Sequence, residues 1–250
     1  MKPRVSVVVT ARDEGEAITA ALRRICEAVT LPCEILVVCD TPEDLTVPWI
    51  EKYAGEDDRV RLVINTLGAG PARAIRAGFD SSVADVVVVT MADGCDDPQQ
   101  IDQLTRLVER GVVVAAASRY SRGGQQVGGP LVKGLMSRVA GACLRIGARV
   151  GTWDPTNSFK AYDRQFVHEV GIDSDKGFEV GLELVAKARR LRRPVAEVPT
   201  IWLDRTLGVS NFKLVKWVPA YLRWFGFAFG PRLDVEAMHR LLDSTSERER

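Results

Sequence analysis

Three short apolar runs in the first hundred residues each lead to an aspartate: Val5–Val9 to Asp13, Ile35–Val38 to Asp40, and Val86–Val89 to Asp93. Runs that are β-branched and apolar on both faces are typical of buried strands in a parallel sheet. Because ligands bind beyond the carboxyl ends of such strands, we expect the three carboxylates to lie around one crevice.

A cluster of carboxylates is costly unless a cation or several hydrogen-bond donors meet it. The pattern therefore predicts a site for a divalent metal and a nucleotide. The alternative is that individual aspartates only cap the following helices. For Asp13 or Asp40 taken alone, the sequence leaves both interpretations open.

The composition limits the class of protein. The chain has 250 residues, of which 46% are hydrophobic and 27% charged, with a formal net charge of +1. These values predict one soluble α/β domain with room for a C-terminal extension, and no nucleic-acid partner. The five cysteines form no C-x-x-C pair, so we expect reduced thiols in a cytoplasmic protein. We expect neither a signal peptide nor a transmembrane helix.

Strands and helices alternate through the first half, which predicts a parallel sheet with right-handed crossovers. Val83–Thr90 is the most hydrophobic strand and is expected at the centre of the sheet. Leu67–Pro71 is a glycine-rich turn into a helix at Ala72–Phe79, a geometry that suits a phosphate.

The second half has a different character. Ser121–Gly129 is rich in glycine and polar residues and predicts a mobile loop over the crevice, followed by a helix from about Leu131 to Arg149. Pro194–Leu203 predicts an edge strand. Glu179–Leu191 predicts a helix with a basic end that complements the helix dipole. That basic end comprises Arg189, Arg190, Arg192 and Arg193.

The segment Phe212–Phe229 is unusually aromatic. On a helix, one face would carry the apolar side chains Leu214, Trp217, Val218, Tyr221 and Phe225, and the opposite face Lys213, Lys216 and Arg223. This pattern is typical of a helix at a membrane interface. The alternatives are a helix packed on the domain and a homodimer contact.

Six sequence blocks occur in a recognisable order: Ser6–Gly15, Asn65–Ala74, Met91–Pro98, Ser118–Tyr120, Asp154–Tyr162 and Asp204–Ser210. With these blocks, the chain from Val5 to about Trp224 resembles the family 2 glycosyltransferases, in particular the polyprenyl-phosphate (dolichol-phosphate) mannose and glucose synthases. The resemblance implies an α/β fold of the GT-A, Rossmann-like type, with a mostly parallel central sheet flanked by helices. The chain is accordingly expected to divide into three segments: a catalytic domain at 1–211, an amphipathic aromatic-rich helical segment at 212–232, and a charged tail at 233–250.

The resemblance also implies site residues. The expected nucleotide-sugar site comprises Thr10, Ala11, Arg12, Asp13, Glu14, Asp40, Asp44, Gly70, Arg73, Ala92, Asp93 and Gly94. The expected catalytic residues are Asp93, Arg119 and Asp154. The expected acceptor site comprises Arg119, Lys133, Ser137, Arg138 and Arg205.

The expected cofactor is a divalent metal, Mg²⁺ or Mn²⁺, held by Asp93 and Asp96. The D-x-D motif of the mannose synthases is not intact here, since Ala92 and Gly94 flank Asp93. Asp97 either shares in metal binding or caps the helix that begins near Pro98.

The implied activity is transfer of a sugar, with inversion, from a GDP- or UDP-sugar to a polyprenyl phosphate at the inner face of the cell membrane. A phosphate acceptor is already ionised and needs no strong base. A hydroxyl acceptor would need a carboxylate base, for which Asp154 and Glu179 are the candidates. Two further alternatives are a sugar-1-phosphate nucleotidyltransferase and a non-catalytic nucleotide-sugar-binding protein. The acidic turn after the first strand argues against the first, and the imperfect D-x-D motif favours the second.

Overall fold

The computed structural model describes residues 2–204 and 214–248. Within them, the strands are Val5–Thr10 (β1), Cys33–Cys39 (β2), Val60–Ile64 (β3), Val86–Met91 (β4), Val114–Ser118 (β5), Gln125–Val127 (β6), Lys160–Asp163 (β7), Val195–Pro199 (β8) and Ile201–Leu203 (β9). The helices are Ala17–Ala28 (α1), Val47–Ala54 (α2), Pro71–Ser81 (α3), Gln100–Glu109 (α4), Leu131–Cys143 (α5), Arg164–Val170 (α6), Val180–Arg190 (α7), Leu214–Ala228 (α8) and Val235–Arg248 (α9). A π-helical turn, Leu144–Ala148, continues α5.

The main sheet confirms the predicted mostly parallel architecture. Its seven strands have the order β3-β2-β1-β4-β7-β5-β8, so β4 lies in the middle as expected. The strand β7 is antiparallel to both β4 and β5. Two antiparallel pairings in succession leave β5 parallel to β4, so the carboxyl ends of β1, β4 and β5 lie at the same edge.

Helices cover both faces of the sheet, which is why its central strands are apolar on both sides. Along β1, Val8 belongs to the core on one face, while Val7 and Val9 belong to the core on the other. Helix α3 packs very closely on the first face. A Cβ at Gly78 would lie 2.3 Å from Val8 Cγ1, so this position requires glycine.

A small second sheet corrects two expectations. Strand β6 lies inside the segment Ser121–Gly129 that was predicted to be a mobile loop, and it pairs in parallel with β9. The predicted edge strand Pro194–Leu203 is divided between the two sheets. Its first part, β8, does lie at the edge of the main sheet, and Thr200 separates it from β9.

Helices α8 and α9 are packed parts of the domain. Trp224 of α8 is 1% exposed and its indole Nε1 donates to Ser174 Oγ at 2.9 Å. Met238 and Leu242 of α9 are buried in the same core, although this segment was predicted to be a charged tail. The prediction that Phe212–Phe229 offers its aromatic side chains to a membrane is therefore wrong for Trp224. Phe212, Lys213 and the side chains of Lys216 and Trp217 lie outside the described residues.

Among the described residues, no helix combines the length and the apolar character needed to cross a membrane.

Candidate active site

A cavity of about 610 Å³ opens at the carboxyl ends of β1 and β4. It is lined by the β1–α1 turn, the turn after β4, the residue after β5, and helices α5 and α8. Eleven of the predicted site residues line it: Thr10, Ala11, Arg12, Glu14, Asp40, Gly70, Asp93, Asp96, Arg119, Lys133 and Ser137.

Seven other predicted site residues are not among the described residues that line the cavity: Asp13, Asp44, Arg73, Ala92, Gly94, Arg138 and Asp154. Arg205 lies outside the described residues. The contacts of these seven residues show that most of them support the turns and side chains that line the cavity.

Asp44 fixes the turn after β1. Its buried carboxylate accepts hydrogen bonds from the backbone N–H of Asp13, at 3.2 and 3.1 Å, and of Thr46, at 2.8 Å. Asp13 itself is exposed, and its φ of 53° turns the chain so that Arg12 and Glu14 face the cavity. Asp44 is therefore a positioning residue, which corrects the expectation that it contacts the nucleotide.

Asp40 shapes the glycine-rich turn while it lines the cavity. Its carboxylate accepts from Asn65 Nδ2 at 2.9 Å and from the backbone N–H of Gly70 at 3.1 Å. Gly70 has a φ of 131°, a conformation that only glycine adopts without strain. The side chain of Arg73 lies against Gly68, within the same turn, which corrects its expected place in the cavity.

The acidic turn after β4 is held from both sides. Arg24 of α1 donates to the backbone oxygen of Gly94 at 2.6 Å and to that of Asp96 at 3.4 Å. Buried Ala92 donates its N–H to Thr10 O at 3.2 Å, so Ala92 and Gly94 support the turn instead of lining the cavity. Asp97 accepts from the backbone N–H of Gln99 at 3.1 Å, in the turn just before α4.

Asp96 is a buried carboxyl group at the floor of the cavity. Burial, together with the nearby charge of Asp93, raises its pKa to about 7. The hydroxyl of Thr90 donates to Asp96 Oδ2 at 2.8 Å. A divalent cation would relieve the repulsion between the two carboxylates, so this pair fits the expected metal.

The donor set indicates which kind of metal site this is. Among the described residues, no group of three or more His, Cys, Asp or Glu side chains is placed to hold a metal. Asp93 and Asp96 would thus leave several coordination positions to diphosphate oxygens and water. Mg²⁺ is commonly bound in this way, by one or two carboxylates and the phosphates of a substrate.

Arg119 enters the cavity directly from the end of β5. Its Nε and Nη2 form two hydrogen bonds with the Asp154 carboxylate, at 2.7 and 2.9 Å, and its backbone N–H forms a third at 3.0 Å. Burial alone would raise the pKa of Asp154, but the charge and hydrogen bonds of Arg119 outweigh it and lower that pKa. Asp154 is completely buried, so it is a positioning residue for Arg119, and its expected contact with substrate is corrected.

A small network orients Arg119 on its other side. Its Nη2 donates to Ser137 Oγ at 3.3 Å, and Ser137 Oγ lies 2.6 Å from Thr156 Oγ1. The ring of Tyr120 is flanked by the guanidinium groups of Arg119, at 4.9 Å, and Arg138, at 5.0 Å. Arg138 is exposed and is not among the described residues that line the cavity.

Lys160 is a buried basic residue that the sequence did not bring to attention. Its ammonium group donates to the backbone oxygen of Asn157. Burial lowers its pKa to about 7, although the charges of Asp154 and Asp96 oppose that change. Lys160 lies in β7, between β4 and β5, where it interacts electrostatically with Asp96, Arg119 and Asp154.

Neither of the two carboxylates proposed as a base faces the cavity. Asp154 is paired with Arg119, and Glu179 is buried and accepts the backbone N–H groups of Lys176, at 3.3 Å, and Gly177, at 2.9 Å. Asp204, at the end of β9, is a lining carboxylate that the sequence did not select as a base.

Part of the cavity lining is apolar. Helix α8 contributes four side chains from one helical face, Val218, Tyr221, Leu222 and Phe225, and α5 contributes Met136. The cavity therefore combines carboxylates with apolar side chains, and Arg119 and Lys133 are also among its lining residues.

Comparisons with known proteins identify the family of the chain and its fold. The profile described as "Glycosyl transferase family 2" matches residues 6–171. The mostly parallel sheet with flanking helices is the GT-A fold of glycosyltransferases. The chain belongs to glycosyl transferase family 2, as the sequence blocks predicted.

Two relatives are similar over nearly their whole length. The chain is 28% identical to an undecaprenyl-phosphate mannosyltransferase of Micrococcus luteus, over 83% of this chain and 87% of the relative. It is 30% identical to a polyprenol monophosphomannose synthase of Mycolicibacterium smegmatis, over 86% of each.

Solved structures share the fold at low sequence identity. Glucosyl-3-phosphoglycerate synthase of Mycobacterium tuberculosis, in complex with Mn²⁺, UDP and glucosyl-3-phosphoglycerate, superposes with a TM-score of 0.67 at 17% identity, covering 93% of this chain and 82% of that one. A mannosyltransferase of Pyrobaculum calidifontis, in complex with GDP-mannose and Mn²⁺, gives a TM-score of 0.59 at 17% identity, covering 87% and 60%.

Proposed function

We propose that this glycosyltransferase moves a hexose from a nucleotide sugar to a polyprenyl phosphate, with inversion at the anomeric carbon. Both relatives described above are named for a polyprenyl or undecaprenyl lipid and for mannose. Mannose from a GDP-linked donor is accordingly the first sugar to test, followed by glucose from a UDP-linked donor.

The observation that carries this proposal is the composition of the cavity lining. The carboxylates Asp93 and Asp96 come from the turn after β4, and apolar side chains come from α5 and α8. Arg119 and Lys133 line the same cavity and supply positive charge. A lipid phosphate needs this combination, because its headgroup is anionic and its chain is apolar.

The residues support chemistry without a strong base. The acceptor phosphate oxygen is already ionised, so its attack on the anomeric carbon requires orientation and charge neutralisation rather than proton removal. Arg119, held rigid by Asp154, would bind the acceptor phosphate, with Lys133 and Ser137 beside it.

A divalent metal fits the site at Asp93 and Asp96, where the nucleotide sugar would bind. When bound at Asp93 and Asp96, Mg²⁺ or Mn²⁺ would neutralise charge on the nucleoside diphosphate leaving group. The turn at Arg12 and Glu14, together with Asp40 and the glycine-rich turn at Gly70, would hold the nucleotide.

The membrane contact is reassigned from the aromatic segment to α5. Its outer face, defined by Leu131, Leu135 and Val139, is 90%, 64% and 53% exposed at these positions. Their spacing of four residues places them on one side of the helix. Full burial of each side chain is worth about 1.5–3 kcal/mol, so partial insertion of this face supports reversible binding at the cytoplasmic side of the membrane.

A hydroxyl acceptor is the second candidate, and Asp204 is the observation that favours it. Asp204 follows β9 directly and its carboxylate lines the cavity. A hydroxyl acceptor would require a carboxylate base to remove its proton. The nucleotidyltransferase and non-catalytic alternatives lose their basis, because the chain belongs to a glycosyltransferase family.

The test compares three variants with both kinds of acceptor. We expect Arg119→Ala to raise the KM for polyprenyl phosphate while nucleotide binding is unchanged. Asp204→Asn should keep its activity on the lipid phosphate, because no base is needed. Arg110→Ala, directly after the carboxyl end of α4, serves as the charge-matched control for Arg119→Ala. Transfer to soluble sugars that depends on Asp204, without transfer to lipid phosphate, would establish the second candidate instead.

A further inference from the structure

A second cavity, of about 340 Å³, lies at the opposite edge of the main sheet from the active site. Its lining includes Val195, the first residue of β8, which pairs with Val114, the first residue of β5. Arg119 of the active site follows the other end of β5. The two cavities therefore lie at opposite ends of the same strands.

The second cavity is lined by five arginines that come from three separate segments: Arg149 after the π-helical turn, Arg189, Arg192 and Arg193 at the end of α7, and Arg232 before α9. Among the described residues that line it, none is acidic. Arg193 pairs with Glu169 at 3.2 Å on the exposed rim. The cluster thus concentrates positive charge with little compensation.

Hydrogen bonds to backbone oxygens hold the three segments together. Arg189 Nε donates to Ala148 O at 2.7 Å, and Arg189 Nη1 donates to Gly230 O. Arg190 Nε donates to Pro231 O at 2.8 Å. Because carbonyl oxygens carry no net charge, these hydrogen bonds hold the cavity in shape without neutralising the positive charge of the arginines.

The backbone conformation of two of these arginines also favours a functional role for their side chains. Among the described non-glycine residues with positive φ are Arg149, at 60°, and Arg192, at 56°, and both line this cavity. Glycine is the usual residue at such helix ends, because a side chain is strained there. Arginine at both positions keeps two guanidinium groups at the cavity.

Helix dipoles explain only part of the cluster. The carboxyl ends of α7 and of the π-helical turn lie here, and basic residues at such ends are favourable. Arg232, in contrast, precedes the amino end of α9, where the dipole disfavours a positive charge. A ligand that the arginines share accounts for all of them.

We propose that this arginine cavity binds a multivalent phosphate anion. Guanidinium groups pair with phosphate oxygens through two parallel hydrogen bonds, and several of them around one cavity suit a diphosphate or a phospholipid headgroup. Ile146 is exposed in the π-helical turn that continues α5, three residues before Arg149. The arginine cavity therefore lies near the carboxyl end of the helix whose outer face we assign to the membrane, and a lipid headgroup of that membrane is one source of the phosphate.

The test uses the full chain and two anions. The variant combines Arg149→Gln, Arg192→Gln and Arg232→Gln, and its control combines Arg23→Gln, Arg106→Gln and Arg110→Gln, three exposed arginines elsewhere with the same change in charge. Thermal unfolding is measured with and without pyrophosphate in EDTA. Flotation is measured with phosphatidylcholine vesicles with and without phosphatidylglycerol. Arg232→Gln alone is the second variant if the triple variant does not fold.

We expect the cavity variant to lose anion binding by about tenfold or more, since each hydrogen bond between charged groups contributes strongly, while the control behaves as the wild type. A lost response to pyrophosphate identifies a soluble phosphate ligand, and a lost response to anionic vesicles alone identifies a lipid headgroup. Equal responses of wild type and cavity variant to both anions would overturn the proposal.

Discussion

Replacing Asp154 by asparagine removes the charge that holds Arg119 in the active site. The Asp154 carboxylate is completely buried and accepts three hydrogen bonds from Arg119, at 2.7, 2.9 and 3.0 Å. An amide of the same size keeps one acceptor oxygen and leaves the guanidinium, which is 13% exposed, without its counter-charge. Breaking a buried ion pair in this way costs about 3–5 kcal/mol. That is a large part of the roughly 5–15 kcal/mol by which a domain is stable.

The assay combines unfolding in urea with steady-state kinetics. We expect Asp154→Asn to lower the free energy of unfolding by about 3–5 kcal/mol and to raise the KM for the lipid acceptor more than that for the donor. The matched control is Asp163→Asn at a helix cap whose side chain accepts from Phe166 N at 3.1 Å. Asparagine caps a helix about as well as aspartate, so this variant should keep nearly the wild-type stability and an unchanged acceptor KM.

Two results would refute the reasoning about Asp154. One is a loss of stability no greater than that of Asp163→Asn, which would mean that the ion pair contributes little. The other is an unchanged acceptor KM in a folded Asp154→Asn protein, which would mean that the position of Arg119 does not matter for the acceptor.

Three further predictions concern the metal site, Lys160 and the outer face of α5. Asp93→Ala should lower turnover by about a hundredfold or more and abolish any metal-dependent rise in nucleotide affinity, and wild-type rates that are equal in EDTA and in Mn²⁺ would contradict this. The pKa of Lys160 is lowered from 10.5 to about 7, so between these values the unfolded chain holds a proton that the folded protein lacks, and stability rises with pH. Urea unfolding from pH 7 to 9.5 should show a slope lower in Lys160→Met than in wild type by up to about 1.4 kcal/mol per pH unit, and equal slopes would be the contrary result. Serine at the three outer-face positions of α5 should abolish flotation with anionic liposomes, while Val83→Ser should not; loss of an oligomer in gel filtration without loss of flotation would instead identify a homodimer contact.

The parallel sheet and its acidic crevice were predictable because they depend on local patterns. The run at Val86–Val89 is apolar on both faces, and this fixed both its central place in the sheet and the position of Asp93 at the crevice. The glycine-rich turn was likewise predictable, since the φ of Gly70 is one that other residues rarely adopt.

The parts that could not be predicted depend on contacts between distant segments. Asp44 was placed at the nucleotide through the family resemblance, yet its carboxylate accepts from the backbone of Asp13, 31 positions away. Asp154 and Arg119 are 35 positions apart, so their pairing has no local signature. The aromatic pattern around Trp224 is the same for a helix that packs on a core and for one that meets a membrane, and the burial of Trp224 with its contact to Ser174 distinguishes them.

The central claim is that the acceptor is a lipid phosphate. The most direct measurement is mass spectrometry of the lipid after incubation with GDP-mannose or UDP-glucose, a divalent metal, and either polyprenyl phosphate or the polyprenol of the same chain length. The account predicts that the phosphate gains one hexosyl group and that the polyprenol gains none. Transfer to the polyprenol or to a soluble hydroxyl, with the lipid phosphate left unmodified, would contradict it.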